Sequence, residues 1–358
     1  MSDAVPLHVG LLSLEGWDGV WRRNQHLASQ LIEQGIVDRI TFVEPAGWGL
    51  GQSRHPVPGI TTVRPRLVLP RRAGGLRLLA HTLRRGPLHD ADLLWINDPP
   101  LGRWVARPDQ PAFYDVTDDW RESTNTDRVR RRLIAAEDWL SAHVSTVVCS
   151  AELAWRWRQR YGVEPTVVPN GVDLRLWEHG EPVALTGRSP HLGYVGTLHA
   201  DRLDVDLVLD LARSPTVGTV HLVGPDFLDQ ADRARLDAAG VARPGPVPHT
   251  EVPAWMRAFD VLICPHRVTP FTLSLDAIKA YEYAAAGKPV LATPTSGFQA
   301  LGARGWSPTV RSDFVARAEA LLADDTQPTA LPGAVDWDVR GKALGEVLST
   351  LVASGAKS

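Results

Sequence analysis

The sequence is 358 residues long, with a formal net charge of −3, 44% apolar and 22% charged residues; this is the profile of a soluble globular protein, long enough for two domains of roughly 150–200 residues each. Two cysteines, Cys149 and Cys264, exclude a disulfide framework and a cysteine-rich zinc site; both end apolar runs, as buried thiols do. The first residues, MSDAVPLHVGLL, have no cationic start or cleavage pattern and no apolar run reaches membrane-spanning length, so the expected location is cytoplasmic.

Arginine greatly outnumbers lysine and clusters over residues 64–85 and 121–132. Such clusters point to nucleic acid, to an anionic membrane surface or to solvated helix faces. The chain has no recognisable nucleic-acid module, so no nucleic-acid partner is expected. A basic helix lying on anionic lipid remains open, and the expectation extends to a peripheral contact at the inner face of the membrane.

In chain order, residues 7–12 read as a buried strand that runs into the turn Gly16-Trp17-Asp18-Gly19, and 21–34 as a helix. Strand, glycine turn and helix open a nucleotide-binding α/β unit, although the GxGxxG fingerprint is absent. A second strand covers 40–45. Residues 47–70, rich in Gly, Pro and Arg, read as an irregular excursion. A helix at 76–83 leads to a strand at 92–97, which Asp98-Pro99-Pro100 stops. Then come a strand at 112–116, a helix at 129–141, a strand at 146–150, a helix at 151–160 and a strand at 166–169. The segment 174–190 lacks periodicity and reads as a linker.

The alternation then restarts. Strands are predicted at 191–196, 217–223 and 260–265, and helices at 205–212, 229–239 and 252–258. Residues 272–293, TLSLDAIKAYEYAAAGKPVLAT, read as a helix capped by Ser274, ended at Gly287-Pro289 and followed by a short strand. Helices at 314–323 and 339–353 close the chain. Strands alternating with helices imply parallel sheets covered on both faces.

In such sheets ligands gather beyond the carboxyl ends of the strands. The first half places Gly16, Asp18, Gly19, Asn97, Asp98, Asp118, Asp119 and Asn170 there. The second half places Gly196, Gly224, His266, Arg267 and Thr293 there. Asp118-Asp119 is a carboxylate pair that suits base or metal chemistry; the plainer reading is an N-cap with a dipole-friendly charge. Lys279 and Glu282 lie three apart on one helix face. Together with a helix N-terminus they suit a nucleoside diphosphate and its ribose; the plainer reading is one surface ion pair. Among the tryptophans, Trp17 and Trp120 are the best placed to stack on a sugar, though most buried tryptophans are core. Trp155 and Trp157, two apart on a helix, point in different directions. No zinc spacing, nucleophile elbow or Walker loop occurs, so no metal site is expected.

Several motifs then occur in a fixed order: Arg23-Asn24-Gln25-His26-Leu27, Tyr114 to Trp120 (YDVTDDW), Val168 to Asp173 (VPNGVD), Gly193-Tyr194-Val195-Gly196, His221 to Pro225 (HLVGP) and Lys279 to Val290 (KAYEYAAAGKPV). Together they resemble the bacterial glycosyltransferases of GT-B fold in the retaining family 4. The resemblance implies an α/β protein with two Rossmann-like domains facing each other across a cleft: an acceptor-side domain at 1–175, a nucleotide-sugar domain at 190–335 and a final helix at 336–358 packing back on the first. It implies a nucleoside-diphosphate sugar as co-substrate, no cofactor and no metal, and a carbohydrate or small-molecule acceptor.

By the same resemblance Glu282 occupies the second acidic position of the family's E-x7-E motif and bonds the ribose. The first position falls on Ser274. Donor-binding residues would be Gly196, Arg202, Gly224, Ser274, Leu275 and Glu282. Lys279, with Arg202, would grip the diphosphate. Asp118 or Asp119 would orient or deprotonate the acceptor hydroxyl, and Gly16, Asp18, Gly19, Arg23 and Trp120 would line the acceptor side. Asp276, in the predicted first helical turn, would point away from phosphate or reach the donor sugar. A sugar-nucleotide 2-epimerase of the same fold and a catalytically silent nucleotide-sugar-binding subunit are the alternatives.

Overall fold

The computed structural model describes residues 6–302, 308–324 and 334–355; the first five residues of the N-terminal reading lie outside them. The chain divides into two compact units, Met1–Pro169 with Trp337–Ser358, and Asn170–Asp336. The segment 174–190 therefore lies with the second unit.

The first unit is built on β1 (His8–Leu12), α1 (Arg23–Glu33), β2 (Arg39–Val43), β3 (Gln52–Val57), β4 (Ile60–Arg64), α2 (Gly75–Arg85), β5 (Leu93–Ile96), α3 (Pro99–Val105), β6 (Ala112–Val116), α4 (Asp127–His143), β7 (Ser145–Val148), α5 (Ala151–Tyr161) and β8 (Thr166–Val167). Its eight-stranded sheet has the order β3-β4-β2-β1-β5-β6-β7-β8 and is parallel except for the β3–β4 pair. β1, β5 and β6 are buried throughout, which explains their mostly apolar sequences.

Two elements differ from the sequence reading. Residues 47–70 contain the edge hairpin β3–β4, whose β3 is exposed along nearly its whole length; an edge strand facing water carries no apolar alternation to read. Asp98-Pro99-Pro100 starts α3 rather than only stopping β5. The Asp98 carboxylate accepts from Leu101 N at 3.1 Å, and prolines at the first helical positions sacrifice no intrahelical hydrogen bond.

The second unit contains β9 (His191–Val195), β10 (Leu198–His199), α6 (Val205–Arg213), β11 (Thr219–Val223), β12 (Asp226–Phe227), α7 (Gln230–Ala238), β13 (Ala242–Gly245), α8 (Val252–Ala258), β14 (Val261–Cys264), α9 (Ile278–Ala286), β15 (Val290–Ala292), α10 (Ser296–Gly302) and α11 (Phe314–Ala323). The main sheet is parallel, in the order β13-β11-β9-β14-β15. Its core gathers Leu192, Tyr194, Leu222, Phe259, Ile263 and Tyr283.

The last helix, α12 (Trp337–Gly355), belongs to the first unit. Trp337 stacks on His26 of α1 with ring centroids 4.7 Å apart. Gly341 and Gly345 let the helices close: a methyl group on either would come within 2.7 Å of Gln30 or Ile36. Among the described residues no helix is long and apolar enough to cross a membrane.

Candidate functional site

The second unit concentrates its unusual chemistry beyond the carboxyl ends of β9, β11 and β14. Gly196 follows β9 with φ of +147°, and Gly224 follows β11 with φ of +142°; both are backbone states that L side chains avoid. The two loops also lie against each other. A methyl group on Gly224 would sit 2.2 Å from the Gly196 carbonyl oxygen, and one on Gly196 would sit 2.3 Å from Lys279 Nζ. Both predicted glycines thus clear space over which a lysine reaches.

That lysine begins α9. The helix starts at Ile278, three residues later than predicted, and its N-cap residue, Ala277, provides no side-chain cap. Ser274 is not the cap: it is buried, and its hydroxyl donates to the Phe271 carbonyl at 2.7 Å. The Thr272 hydroxyl donates to the Arg267 carbonyl at 2.6 Å. Short polar side chains bonding their own loop compete with helix formation, so the turn over 269–274 delays the helix. Leu275 is half-buried in the stretch that follows.

Lys279 is half-buried, with Nζ 5.0 Å from the centre of the Tyr194 ring. Burial alone would lower its pKa; Tyr194, Cys264 and Glu282 together outweigh that and raise it, so the ammonium stays charged. Glu282, one turn along, is also half-buried. Burial raises its pKa to about 7 against the opposing pull of Lys279. The two form no ion pair with each other, and among the described residues neither has any ion-pair partner. The surface ion pair of the plainer reading is therefore not what the helix carries.

His266, which the sequence places beyond the end of a strand, and Tyr194, which it places only within a strand motif, sit beside this lysine. Tyr194 Oη donates to the Thr197 carbonyl at 3.1 Å and lies 3.2 Å from His266 Nε2. Burial, then Lys279 and Arg202, push the His266 pKa well below its usual value, so the imidazole is neutral. Arg202 is held through its backbone, whose carbonyl accepts from Arg267 N at 2.7 Å, and its guanidinium lies 5.1 Å over the Phe271 ring. The signal for Tyr194 is a tyrosine two residues before the strand-end glycine Gly196.

Asp276 is held by Asn170 and Tyr281. Its carboxylate accepts from Asn170 N at 2.6 Å and from Tyr281 Oη at 3.0 Å, while its backbone carbonyl accepts from Asn170 Nδ2 at 2.5 Å. It is a tether for the loop ahead of α9.

The first unit uses its charges differently. Asp119, expected to act in catalysis, is buried and receives Arg156 Nη1 at 2.9 Å and Arg160 Nη1 and Nη2 at 2.7 and 2.6 Å. Burial opposes its charge, but the two arginines prevail and lower its pKa. This carboxylate has its countercharge supplied by the fold, from three guanidinium nitrogens. Arg23, expected on the acceptor side, is likewise buried; its Nε is 3.0 Å from Asp115 Oδ2 and its Nη2 is 3.0 Å from Oδ1. Asn97 extends this network by donating to the Asp115 carbonyl and accepting from Asn24.

Asp118 is half-buried at the end of β6, where it accepts from the Thr117 hydroxyl at 3.1 Å, and Trp120 is half-buried beside it. Asp18 is exposed and bonds its own turn through Val20 N and Arg22. Gly16 and Gly19 meet nothing within 4 Å where a side chain would stand. Trp17 is core: its ring packs edge-on against Trp21 and Phe42, and its backbone N–H donates to the Glu44 carboxylate at 3.0 Å. Trp155 is exposed while Trp157 is buried. Among the described residues no group of three or more His, Cys, Asp or Glu could hold a metal ion.

Comparisons with known proteins divide along the same line. The model described as Glycosyltransferase Family 4 matches residues 17–176, and that described as Glycosyl transferases group 1 matches residues 189–325. TuaH of Bacillus subtilis (strain 168), provisionally assigned as a teichuronic acid biosynthesis glycosyltransferase, is 28% identical over 219 residues, 56% of this chain and 55% of TuaH. The chain thus matches little more than half the length of that relative. Among solved structures, sucrose-phosphate synthase from Thermosynechococcus elongatus aligns with TM-score 0.76 at 16% identity, covering 97% of this chain and 100% of that one. Anabaena Alr3699/HepE in complex with UDP and glucose aligns with TM-score 0.67 at 17% identity, covering 96% and 99%. AviGT4, involved in avilamycin A biosynthesis, aligns with TM-score 0.63 at 16% identity, covering 98% and 99%.

Proposed function

Because the chain belongs to the group 1, family 4 glycosyltransferases and has the GT-B fold, we propose that it moves a sugar from a nucleoside-diphosphate sugar to an acceptor hydroxyl, with retention of anomeric configuration. One observation carries this reading. Lys279 and Glu282 share a helix face, are half-buried, and have no ion-pair partner among the described residues. A fold that buries opposite charges without pairing them leaves them for a ligand that brings both an anion and hydroxyl donors.

In this reading Lys279, Arg202 and the uncapped start of α9 hold the diphosphate. Gly196 and Gly224 leave room for the donor to approach the backbone, and Glu282 accepts from the ribose hydroxyls. The bond between sugar C1 and the diphosphate oxygen breaks, and a bond from C1 to the acceptor oxygen forms. The electron pair leaves with the diphosphate, where the two cations oppose the growing charge. Neutral His266 adds no competing charge. Asp118 orients the acceptor hydroxyl, whose proton leaves with the diphosphate. Cations and helix terminus fill the place of a metal, so chelation is expected to leave the rate unchanged.

The solved complexes of HepE with UDP-glucose make that donor the first to try. The acceptor is assigned to two classes, a lipid-linked or polymeric glycan and a small natural product. The reaction is assigned to the compartment where nucleotide sugars are made, in the cytoplasm or at the inner face of the membrane. The test is incubation with UDP, GDP, dTDP and ADP sugars. Free nucleoside diphosphate released only with an acceptor supports transfer; a nucleotide sugar altered without acceptor points to epimerisation instead. If Glu282→Ala left donor affinity unchanged, the ribose assignment would fail.

A further inference from the structure

Of the 38 cationic side chains in the sequence four are lysines, and one of the four is Lys279. A lysine carries a compact charge on a flexible stem. Such a stem loses rotamer freedom when a ligand fixes it, and a fold that fixes it beforehand spares the ligand that loss. No carboxylate does this for Lys279, which has no ion-pair partner among the described residues. What the ammonium meets instead is an aromatic face.

That face is Tyr194, on β9 and 1% exposed. Lys279 Nζ stands 5.0 Å from the centre of its ring, within the roughly 6 Å reach of a cation–π attraction. The ring is held at its far end by its hydroxyl. A phenol has one proton to donate. Tyr194 Oη donates it to the Thr197 carbonyl at 3.1 Å, so the oxygen accepts from Nε2 of the neutral His266 at 3.2 Å. His266 is itself seated: its carbonyl accepts from Thr293 Oγ1 at 2.7 Å, and its backbone bridges Leu203. The lysine and the phenol border the same hollow, since a methyl group on Gly196 would stand 2.3 Å from Lys279 Nζ and 3.4 Å from Tyr194 Oη.

We propose that Tyr194 is a positioning residue for the transfer: its ring holds the Lys279 ammonium at the Gly196 hollow before a diphosphate arrives, and the Thr197 carbonyl and His266 hold the ring. The inference rests on the reading that Lys279 grips the donor diphosphate. Tyr194 acts through the lysine. Its ring and its hydroxyl therefore do separable work, the one carrying the cation and the other setting the angle of the ring. Phenylalanine keeps the first and loses the second; leucine keeps apolar bulk and loses both.

The test is NMR of the full chain with lysine-selective carbon-13 labelling, which gives four side-chain signals. The Lys279 signal is assigned by its absence from Lys279→Ala. In the free protein the Lys279 ε-methylene should resonate upfield of the other lysines in the parent and in Tyr194→Phe, and return among them in Tyr194→Leu. Titration with inorganic pyrophosphate, a diphosphate without base or sugar, then reads the consequence. Tyr194→Leu should bind it about fivefold more weakly, the worth of one cation–π contact, and Tyr194→Phe should stay within about twofold of the parent. A tyrosine that served only the core would lower Tm in both variants and leave the affinity of the folded fraction alone. That result, or an unshifted Lys279 signal in the parent, would overturn the proposal. Parent-like binding by Tyr194→Leu alongside weakened binding by Lys279→Ala would remove the Tyr194 role alone. Parent-like binding by Lys279→Ala would remove the diphosphate reading, and the Tyr194 role with it.

Discussion

The two units contain similar ionisable groups and use them in opposite ways. In the first, Arg23 and Asp115 are buried as a forked pair, and Asp119 is closed in by Arg156 and Arg160. In the second, Lys279 and Glu282 are held half-buried, one turn apart, and unpaired. Residue type does not separate these cases. What separates them is whether the fold itself supplies the countercharge. Where it does, the charge serves stability; where it does not, the fold retains a cost that a ligand can relieve. Glu137 is the exception in the first unit: it is buried, accepts from Tyr114 Oη at 3.0 Å, and has its pKa raised to about 8 by burial, so it is carried as a neutral acid.

The contrast breaks first at Arg23. Arg23→Ala strands the Asp115 carboxylate in the core and should cost about 3–5 kcal/mol. Thermal melting should show Tm lower by about 10 °C, with donor affinity retained in whatever fraction stays folded. Lys279→Ala should do the reverse. It removes a cation the fold does not need, so Tm should hold, while kcat falls by about 10²–10³ as for loss of a charge-stabilising donor. If instead Lys279→Ala lowered Tm as Arg23→Ala does, the distinction between the units would collapse.

Asp276 sharpens the comparison from inside the second unit, because it is a charge there that the fold does pair. Asp276→Ala should cost about 2 kcal/mol by orphaning Asn170 N and Tyr281 Oη, measurable by urea unfolding, with a weaker donor grip following from a loosened α9 start. The smallest effect is a pH profile. The Glu282 pKa is raised from 4.5 to about 7, so the folded chain binds this proton more tightly than the unfolded one. Ionisation therefore erodes the stability of the free protein as pH rises from 4.5 to about 7. Ribose hydroxyls donate to the ionised form, so donor affinity should fall about fivefold between pH 7 and pH 6. Calorimetric titrations of Glu282→Gln should lose that slope.

Much of this was legible because it was local. Strands such as β5 and β14 show as unbroken apolar runs, and Lys279 and Glu282 show their shared face by spacing alone. What the letters do not show are partners distant along the chain. Nothing near Arg23 announces Asp115, 92 residues on, and nothing near Asp119 announces a clamp from α5. Ser274 failed for a more local reason: a hydroxyl that caps a helix and one that bonds back into a turn look alike in a string of letters. The β3–β4 hairpin was unreadable because an exposed edge carries no burial pattern.

One feature of the chain path bears on how the molecule is made. α12 completes the first unit, seating Trp337 on His26 and passing Gly341 and Gly345 along α1, yet it is separated from the rest of that unit by the whole of residues 170–336. During synthesis from the N-terminus, the ribosome delivers every residue of the second unit before it delivers this helix. The half of the protein begun first is thus the half finished last, and until then the α12-facing side of α1 stands uncovered. A chain stopped near residue 335 would carry a complete second unit and an incomplete first one, so premature termination should betray itself by aggregation from the N-terminal end.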